Sequence, residues 1–186
     1  MHAIPTELPD VIELVPKVFG DERGFFLETW NDEVFRSVGI RETFVQDNWS
    51  RSRRGILRGL HYQIQSPQGK LVRVTRGSVF DVAVDLRRSS PTFGRHAARV
   101  LSEDNKHALW IPPGFAHGFL VLSDEADFVY KCTQLYAPQF DRTLAWNDTE
   151  VAIQWPLELV GGAQALQLSE KDRTRAASFA DAETFA

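Results

Sequence analysis

The sequence predicts a mostly β protein, a barrel or sandwich of short strands with a few short helices. Roughly ten to twelve short apolar or alternating runs recur along it, each bounded by Gly, Pro, Asn, Asp or Ser, and long helices between strands are absent. Aromatic residues make up 11% of the chain, with 13 Phe and five Trp, and such rings pack well on pleated, half-buried surfaces. With 186 residues, 43% of them hydrophobic, one core can be filled and a second cannot. Residues 1–186 are therefore expected to form a single domain, with the β region over about 11–156 and a helical tail over about 160–186.

Val11–Val15 is the first expected strand, Pro16–Gly24 a turn carrying Asp21, Glu22 and Arg23, and Phe25–Trp30 a second strand. Asn31 is placed to cap a short helix, with Asp32 and Glu33 in its first turn, Val34, Phe35 and Val38 apolar, and Gly39 at its end. Thr43–Ser50 reads as a strand with a polar end, and Ser50–Gly55 as a basic turn. In the strand expected over Arg58–Gln63, Gly59, His61 and Gln63 share one side and Arg58, Leu60 and Tyr62 the other. Arg58 and His61 can share a pocket only if the strand bends near Gly59, a residue whose missing Cβ makes such a bend accessible.

Ser66–Gly69 turns the chain into a strand over Lys70–Thr75, and Arg76–Ser78 into another over Val79–Leu86. In the latter, Phe80, Val82, Val84 and Leu86 form one face and Val79, Asp81, Ala83 and Asp85 the other, so two carboxylates face either solvent or a polar barrel interior. A loop over Arg87–Gly94 leads to a strand over His96–Leu101, a turn over Ser102–Asn105 and a strand over Ala108–Ile111. The rigid turn Pro112-Pro113-Gly114 then delivers His117 at the start of a strand running to Leu122. Ala126–Thr133 puts Phe128, Tyr130 and Cys132 on one face, a parity that Tyr136 shares. Pro138–Asp141 turns, Leu144–Trp146 is a short strand, and Val151–Pro156 is expected to close the β region. Ser169-Glu170-Lys171-Asp172 has the spacing of a capping box and predicts a short helix.

The net charge of -4 and pI near 5.7 argue against a general binder of nucleic acid or anionic membranes, although a local cationic pocket is compatible with them. Cys132 is the only cysteine, which excludes an intrachain disulfide and a cysteine-based zinc cluster. Met1–Asp10 lacks the basic start and apolar run of a signal peptide, and no stretch has the apolar length of a membrane-spanning helix. The expectation is a soluble, cytoplasmic protein.

His61, His117 and Tyr130 recur on β elements, with Lys70 close to the first. His61 is followed two residues on by Gln63 and by no nearby glutamate, so a metal site lacks its carboxylate, and neither a metal nor another cofactor is expected. A histidine base, a tyrosine acid and a Lys or Arg beside a developing oxyanion instead suit proton abstraction next to a carbonyl. Such a base needs an orienting partner on its other ring nitrogen, and Asp81, Asp85 and Asp172 are all available. From the strand alone, a hydrogen-bonded core histidine is the plainer reading of His61.

The blocks Arg58-Gly59-Leu60-His61-Tyr62-Gln63, Gly69–Val74, Val79–Asp85, Trp110–Phe119 and Tyr130-Lys131-Cys132-Thr133 resemble the dTDP-4-dehydrorhamnose 3,5-epimerase family in order and spacing. Asp21–Gly24, Gln46-Asp47-Asn48, Trp146-Asn147-Asp148 and Ser169–Asp172 extend the resemblance over about residues 10–175. It implies a cupin-type (jelly-roll) β-barrel, a homodimer without metal, and a dTDP-sugar substrate, dTDP-4-dehydro-6-deoxy-D-glucose, inverted at C3 and C5. By motif position His61 is the implied base, Asp172 its orienting carboxylate, Tyr130 the acid on the opposite face and Lys70 the cation that steadies the enolate oxygen. Arg58 and His117 match positions beside the sugar, and Tyr136 an aromatic that stacks on the thymine. Arg23, Glu28, Gln46, Asp47, Asn48 and Lys171 match nucleotide-sugar contacts, some of them reaching the partner subunit's site. Asp141 stands where the family has a glutamate near the nucleotide; the shorter acid can reach the ligand through water.

Competing readings are an epimerase or ketoisomerase acting at one centre, a non-catalytic sugar-binding barrel, and a metal-dependent oxygenase. The joint presence of His61, Asp172, Tyr130 and Lys70 speaks against mere binding, which needs no acid–base pair.

Overall fold

The computed structural model describes residues 1–186. In chain order its elements are β1 (His2–Pro5), β2 (Ile12–Val15), β3 (Val18–Asp21), β4 (Gly24–Leu27), α1 (Asp32–Ser37), β5 (Gln46–Arg53), β6 (Leu57–Gln63), β7 (Lys70–Arg76), β8 (Ser78–Asp85), β9 (His96–Ser102), β10 (Ala108–Ile111), β11 (Phe115–Val121), β12 (Glu125–Cys132), β13 (Asp141–Thr143) and α2 (Glu170–Thr174). One antiparallel sheet has the order β1-β2-β10-β7-β12-β5 and faces a second of order β13-β6-β11-β8-β9, the mostly β, cupin-like sandwich expected. Strands β3 and β4 form a separate hairpin.

Alternation dictates the packing. Val72, Val74 and Phe128 of the first sheet meet Val79, Phe119 and Val121 of the second between the sheets, each large apolar side chain contributing roughly 1.5–3 kcal/mol by leaving water. The outer face of the second sheet carries Leu57, Leu60, Val82 and Leu86 and is covered by Trp155, Val160 and Ala182 from the C-terminal region. The first sheet's outer face is partly covered by α1, whose Phe35 joins Leu14, Leu71 and Trp110. Asn31 caps α1 as its position predicts, its Oδ1 accepting from the backbone N–H groups of Glu33 and Val34. Asp81 and Asp85 face inward at 0% exposure, which settles the choice left open for β8 in favour of the interior.

Several expectations need correction. The basic turn expected over Ser50–Gly55 is confined to Arg54-Gly55, because β5 stays paired with β12 as far as Arg53. His2–Pro5 is a strand, paired with β2, and the Pro16–Gly24 turn contains β3, its tight reversal confined to Glu22-Arg23. The short strand expected at Leu144–Trp146 lies at Asp141–Thr143, directly after the turn expected at Pro138–Asp141, and only Leu144 continues its pairing, exchanging hydrogen bonds with Leu60. Val151–Pro156 is not a strand: the Asp148 carboxylate accepts from the backbone of Glu150 and Val151, Ala152 has φ +51, and the Trp155 indole donates to the Trp146 carbonyl. Those local bonds wind the segment into a plug, and Pro156 has no N–H for a ladder. Finally, the region from 160 is mainly irregular. Its one α-helix is α2, beside short 3-10 turns at Leu157–Val160 and Ala163–Ala165, because its backbone bonds go to the sheet: Gln167 to Gly55, Ala177 to Thr143, Phe185 to Leu86.

Candidate active site

A bulge in β6 organises the site. His117 pairs with His61 but Phe119 pairs with Arg58, so Gly59 and Leu60 together stand opposite the single residue Gly118. One extra residue reverses the side-chain parity across it, and Arg58 and His61 both line one cavity of about 430 Å³. Glycine is required on both strands. Gly59 has φ +120, and a Cβ on it would lie 2.6 Å from Gly118 Cα; a Cβ on Gly118 would lie 2.6 Å from the Arg58 carbonyl oxygen.

The cavity lies between the sheets. Lys70 opens β7, Tyr130 lies on β12 beside Val72, and His117 lies on β11. The fourth contributor is α2, held near β6 by the hydrogen bonds of Gln167 with Gly55 and Leu57. Ser169 caps α2 by accepting from the Asp172 backbone N–H at 3.1 Å. The Asp172 side chain does not return to the helix start, as the acid of a capping box does, but meets Nε2 of His61 at 2.5 Å. Nδ1 of His61 has no partner in the protein and is the nitrogen left to take a proton.

Burial raises the Asp172 carboxyl, but the hydrogen bond and charge of His61 and the Ser169 hydroxyl outweigh it and hold the group below the ordinary carboxylate range. His117 is buried, with Nε2 2.9 Å from the fully buried Asp81. Burial lowers the His117 imidazolium, with Asp81 opposing. Burial likewise pulls the Lys70 ammonium below its usual range, against the attraction of Asp141 and Asp81. Its Nζ donates to the His61 carbonyl at 3.5 Å. Burial raises the Tyr130 phenol, against the nearby charge of Arg58, so this acid stays protonated at neutral pH. Asp85, the third carboxylate, is committed to Arg87, Ser90 and Thr92.

The other expected contacts fall into two groups. Gln46 and Asn48 lie on the inward face of β5: Gln46 accepts from the Tyr136 backbone and donates to Asn48, which donates to Cys132 Sγ. Tyr136 donates to Asp141 at 2.9 Å, Lys171 also donates to Asp141, and these three line a neighbouring cleft of about 410 Å³. Asp47 instead faces outward, paired with Lys131 at 3.0 Å. Arg23 pairs with Asp21 at the hairpin tip, Glu28 accepts from Asn31, and neither lines the cavity. Ser50 and Ser169 also line it, although the sequence points to Ser169 only as a helix cap and gives Ser50 no role in a site; the alternation of β5 flags Ser50. No group of three or more His, Cys, Asp or Glu side chains is arranged to hold a metal ion.

A paired imidazole, a protonated phenol and a buried ammonium around one hollow can remove a proton next to a carbonyl, hold the oxyanion and return a proton. Comparisons with known proteins agree. The profile of the dTDP-4-dehydrorhamnose 3,5-epimerase family matches residues 5–181. The chain is 56% identical to the dTDP-4-dehydrorhamnose 3,5-epimerase of Pseudomonas aeruginosa, with 100% of this chain and 99% of that relative covered. It is 54% identical to the enzyme of the same name from Shigella flexneri, at the same coverage. Among solved structures it resembles the dTDP-6-deoxy-D-glucose-3,5-epimerase of Legionella pneumophila in complex with dTDP-4-keto-L-rhamnose (TM-score 0.92, 47% identity, 98% of this chain and 94% of that one). It also resembles a 3'-monoepimerase from Streptomyces bikiniensis in complex with dTDP-quinovose (TM-score 0.86, 32% identity, 97% and 88% covered).

Proposed function

The chain belongs to the dTDP-4-dehydrorhamnose 3,5-epimerase family, and we propose that it epimerises dTDP-4-dehydro-6-deoxy-D-glucose at C3 and C5 to dTDP-4-dehydro-L-rhamnose without metal or other cofactor. His61 takes the proton at Nδ1 while Asp172 fixes the ring and balances its charge. The Lys70 ammonium steadies the C4 enolate oxygen, and Tyr130 returns a proton to the opposite face. Arg58 and His117 bind beside the sugar. Gln46, Asn48, Tyr136, Asp141 and Lys171 hold the nucleotide, with Tyr136 stacking on the base. The observation that carries this reading is the 2.5 Å His61–Asp172 pair lining one cavity with Tyr130 and Lys70.

Arg23, Glu28 and Asp47 act in a homodimer, the hairpin reaching a partner's site. Supporting this, Phe25 and Phe26 on the hairpin and Trp49 on β5 are 64%, 68% and 70% exposed, an apolar surface of the kind that marks association. The lone, unpaired Cys132 supports a cytoplasmic location, and no helix is long and apolar enough to cross a membrane.

Incubation with the substrate in deuterated water tests the reaction: deuterium should enter C3 and C5 and the L-configured product should form. His61→Asn should abolish exchange. Retained exchange in that variant, or none in the native protein, would overturn the assignment. A single-centre epimerase is the second reading, favoured by the likeness to the 3'-monoepimerase; product analysis by NMR separates the two.

A further inference from the structure

Strand β5 alternates cleanly, its even-numbered residues facing in and its odd-numbered ones exposed. The inward row is Gln46, Asn48, Ser50 and Ser52, and Ser52 is the most buried of them at 4% exposure. A serine this enclosed requires a partner. Ser52 Oγ accepts from Nε of Arg58 at 2.9 Å, a bond reaching from the edge of one sheet to the bulged strand of the other. Arg58 has no carboxylate within ion-pair distance, and its two terminal nitrogens have no partner in the protein, unlike Arg51 and Arg54 nearby, which pair with Asp127 and Asp124. Ser52 does not line the cavity, whereas Arg58 does.

We infer that Ser52 is a positioning residue for substrate binding: by holding Arg58 through Nε it presents the two terminal nitrogens as a preset fork for the anionic oxygens of the nucleotide sugar. A free arginine side chain samples many rotamers, and binding would have to fix them. Anchoring at Nε removes part of that loss while leaving the planar, bidentate end open, the geometry that suits phosphate oxygens. The bulge at Gly59 turns Arg58 toward the cavity, and Ser52 sets where its guanidinium stands. Because the bond acts on binding and not on the reacting carbon, its removal should appear in KM rather than kcat.

The inference rests on the epimerase reading, and the experiment separates the two. Native protein, Ser52→Ala, Arg58→Ala and the double variant are compared for turnover of dTDP-4-dehydro-6-deoxyglucose, for dTDP affinity by calorimetry, and for thermal midpoint. Ser52→Ala should raise KM and the dTDP dissociation constant roughly 3- to 10-fold, the factor one hydrogen bond carries, with kcat within twofold and the midpoint little changed. In the Arg58→Ala background the same substitution should do nothing further, since coupled residues are not additive. An unchanged KM and dissociation constant in Ser52→Ala, or an equal loss with Arg58 already removed, would overturn the inference. Absence of turnover by the native protein would overturn the epimerase reading instead, and dTDP affinity would still decide the role of Ser52.

Discussion

Asp172→Asn isolates the charge of the dyad while preserving its shape. The carboxylate oxygen lies 2.5 Å from His61 Nε2, and the Asp172 side chain is 2% exposed. With charge centres about 4 Å apart and an effective dielectric of about 20, attraction between the imidazolium formed on proton uptake and the carboxylate is about 4 kcal/mol. At about 1.36 kcal/mol per factor of ten, its loss corresponds to about a thousandfold in the proton-removal step. The amide can also donate to Nε2, which would put the ring proton on Nδ1 and block the base. The assay is wash-in of solvent deuterium at C3 and C5, followed by NMR beside steady-state kinetics. The expected result is a kcat lowered about 10³-fold with KM within a few-fold, and a His61→Asn/Asp172→Asn variant no slower than His61→Asn alone. Exchange by Asp172→Asn within tenfold of the native rate would refute the dyad.

Tyr130→Phe should retain exchange at the first carbon while product formation falls at least a hundredfold, because only reprotonation from the far face is lost; equal loss of both would contradict its role as acid. Gly59→Ala combines left-handed strain with backbone overlap at 2.6 Å. The expected cost is about 3 kcal/mol, a thermal midpoint about 6–12 °C lower, and an unchanged midpoint would count against a bulge that depends on glycine. Burial raises the Asp85 carboxyl, but bonds from Arg87, Ser90 and Thr92 prevail and hold it at about 2 against an ordinary 3.8. A depressed carboxyl stabilises the fold above its unfolded value and ceases to as pH falls through its folded one, so about 2 kcal/mol should be lost between about pH 4 and pH 2. Urea titrations should show the stability gap between native protein and Asp85→Asn narrowing over that range; a constant gap would exclude the linkage.

Local patterns were legible in the sequence where short-range physics decides. The Asn31 cap, the parity of β8 and the need for a bend beside Gly59 each follow from residues within a few positions of one another. Local spacing does not divide the labour among Asp81, Asp85 and Asp172, of which the family resemblance alone points to Asp172, because only the assembled sheets put one beside His117, one beside Arg87 and one beside His61. Val151–Pro156 misled for a related reason: its apolar residues serve a plug on the outer face, and apolar content alone does not distinguish a plug from a strand. Ser52 also escaped notice, since its partner belongs to the opposite sheet.

The delivery of Asp172 by α2 also bears on how the protein is made. Every strand of the two sheets is complete by Thr143, so a nascent chain can pair β6 with β11 while the carboxylate is still unsynthesised. The strands that carry His61, Lys70, His117 and Tyr130 thus all precede in the chain the carboxylate that orients the base. Translation order brings the orienting carboxylate in with Trp155, Val160 and Ala182, the residues that cover the second sheet, so a chain ending at Thr143 would lack both its carboxylate and that cover.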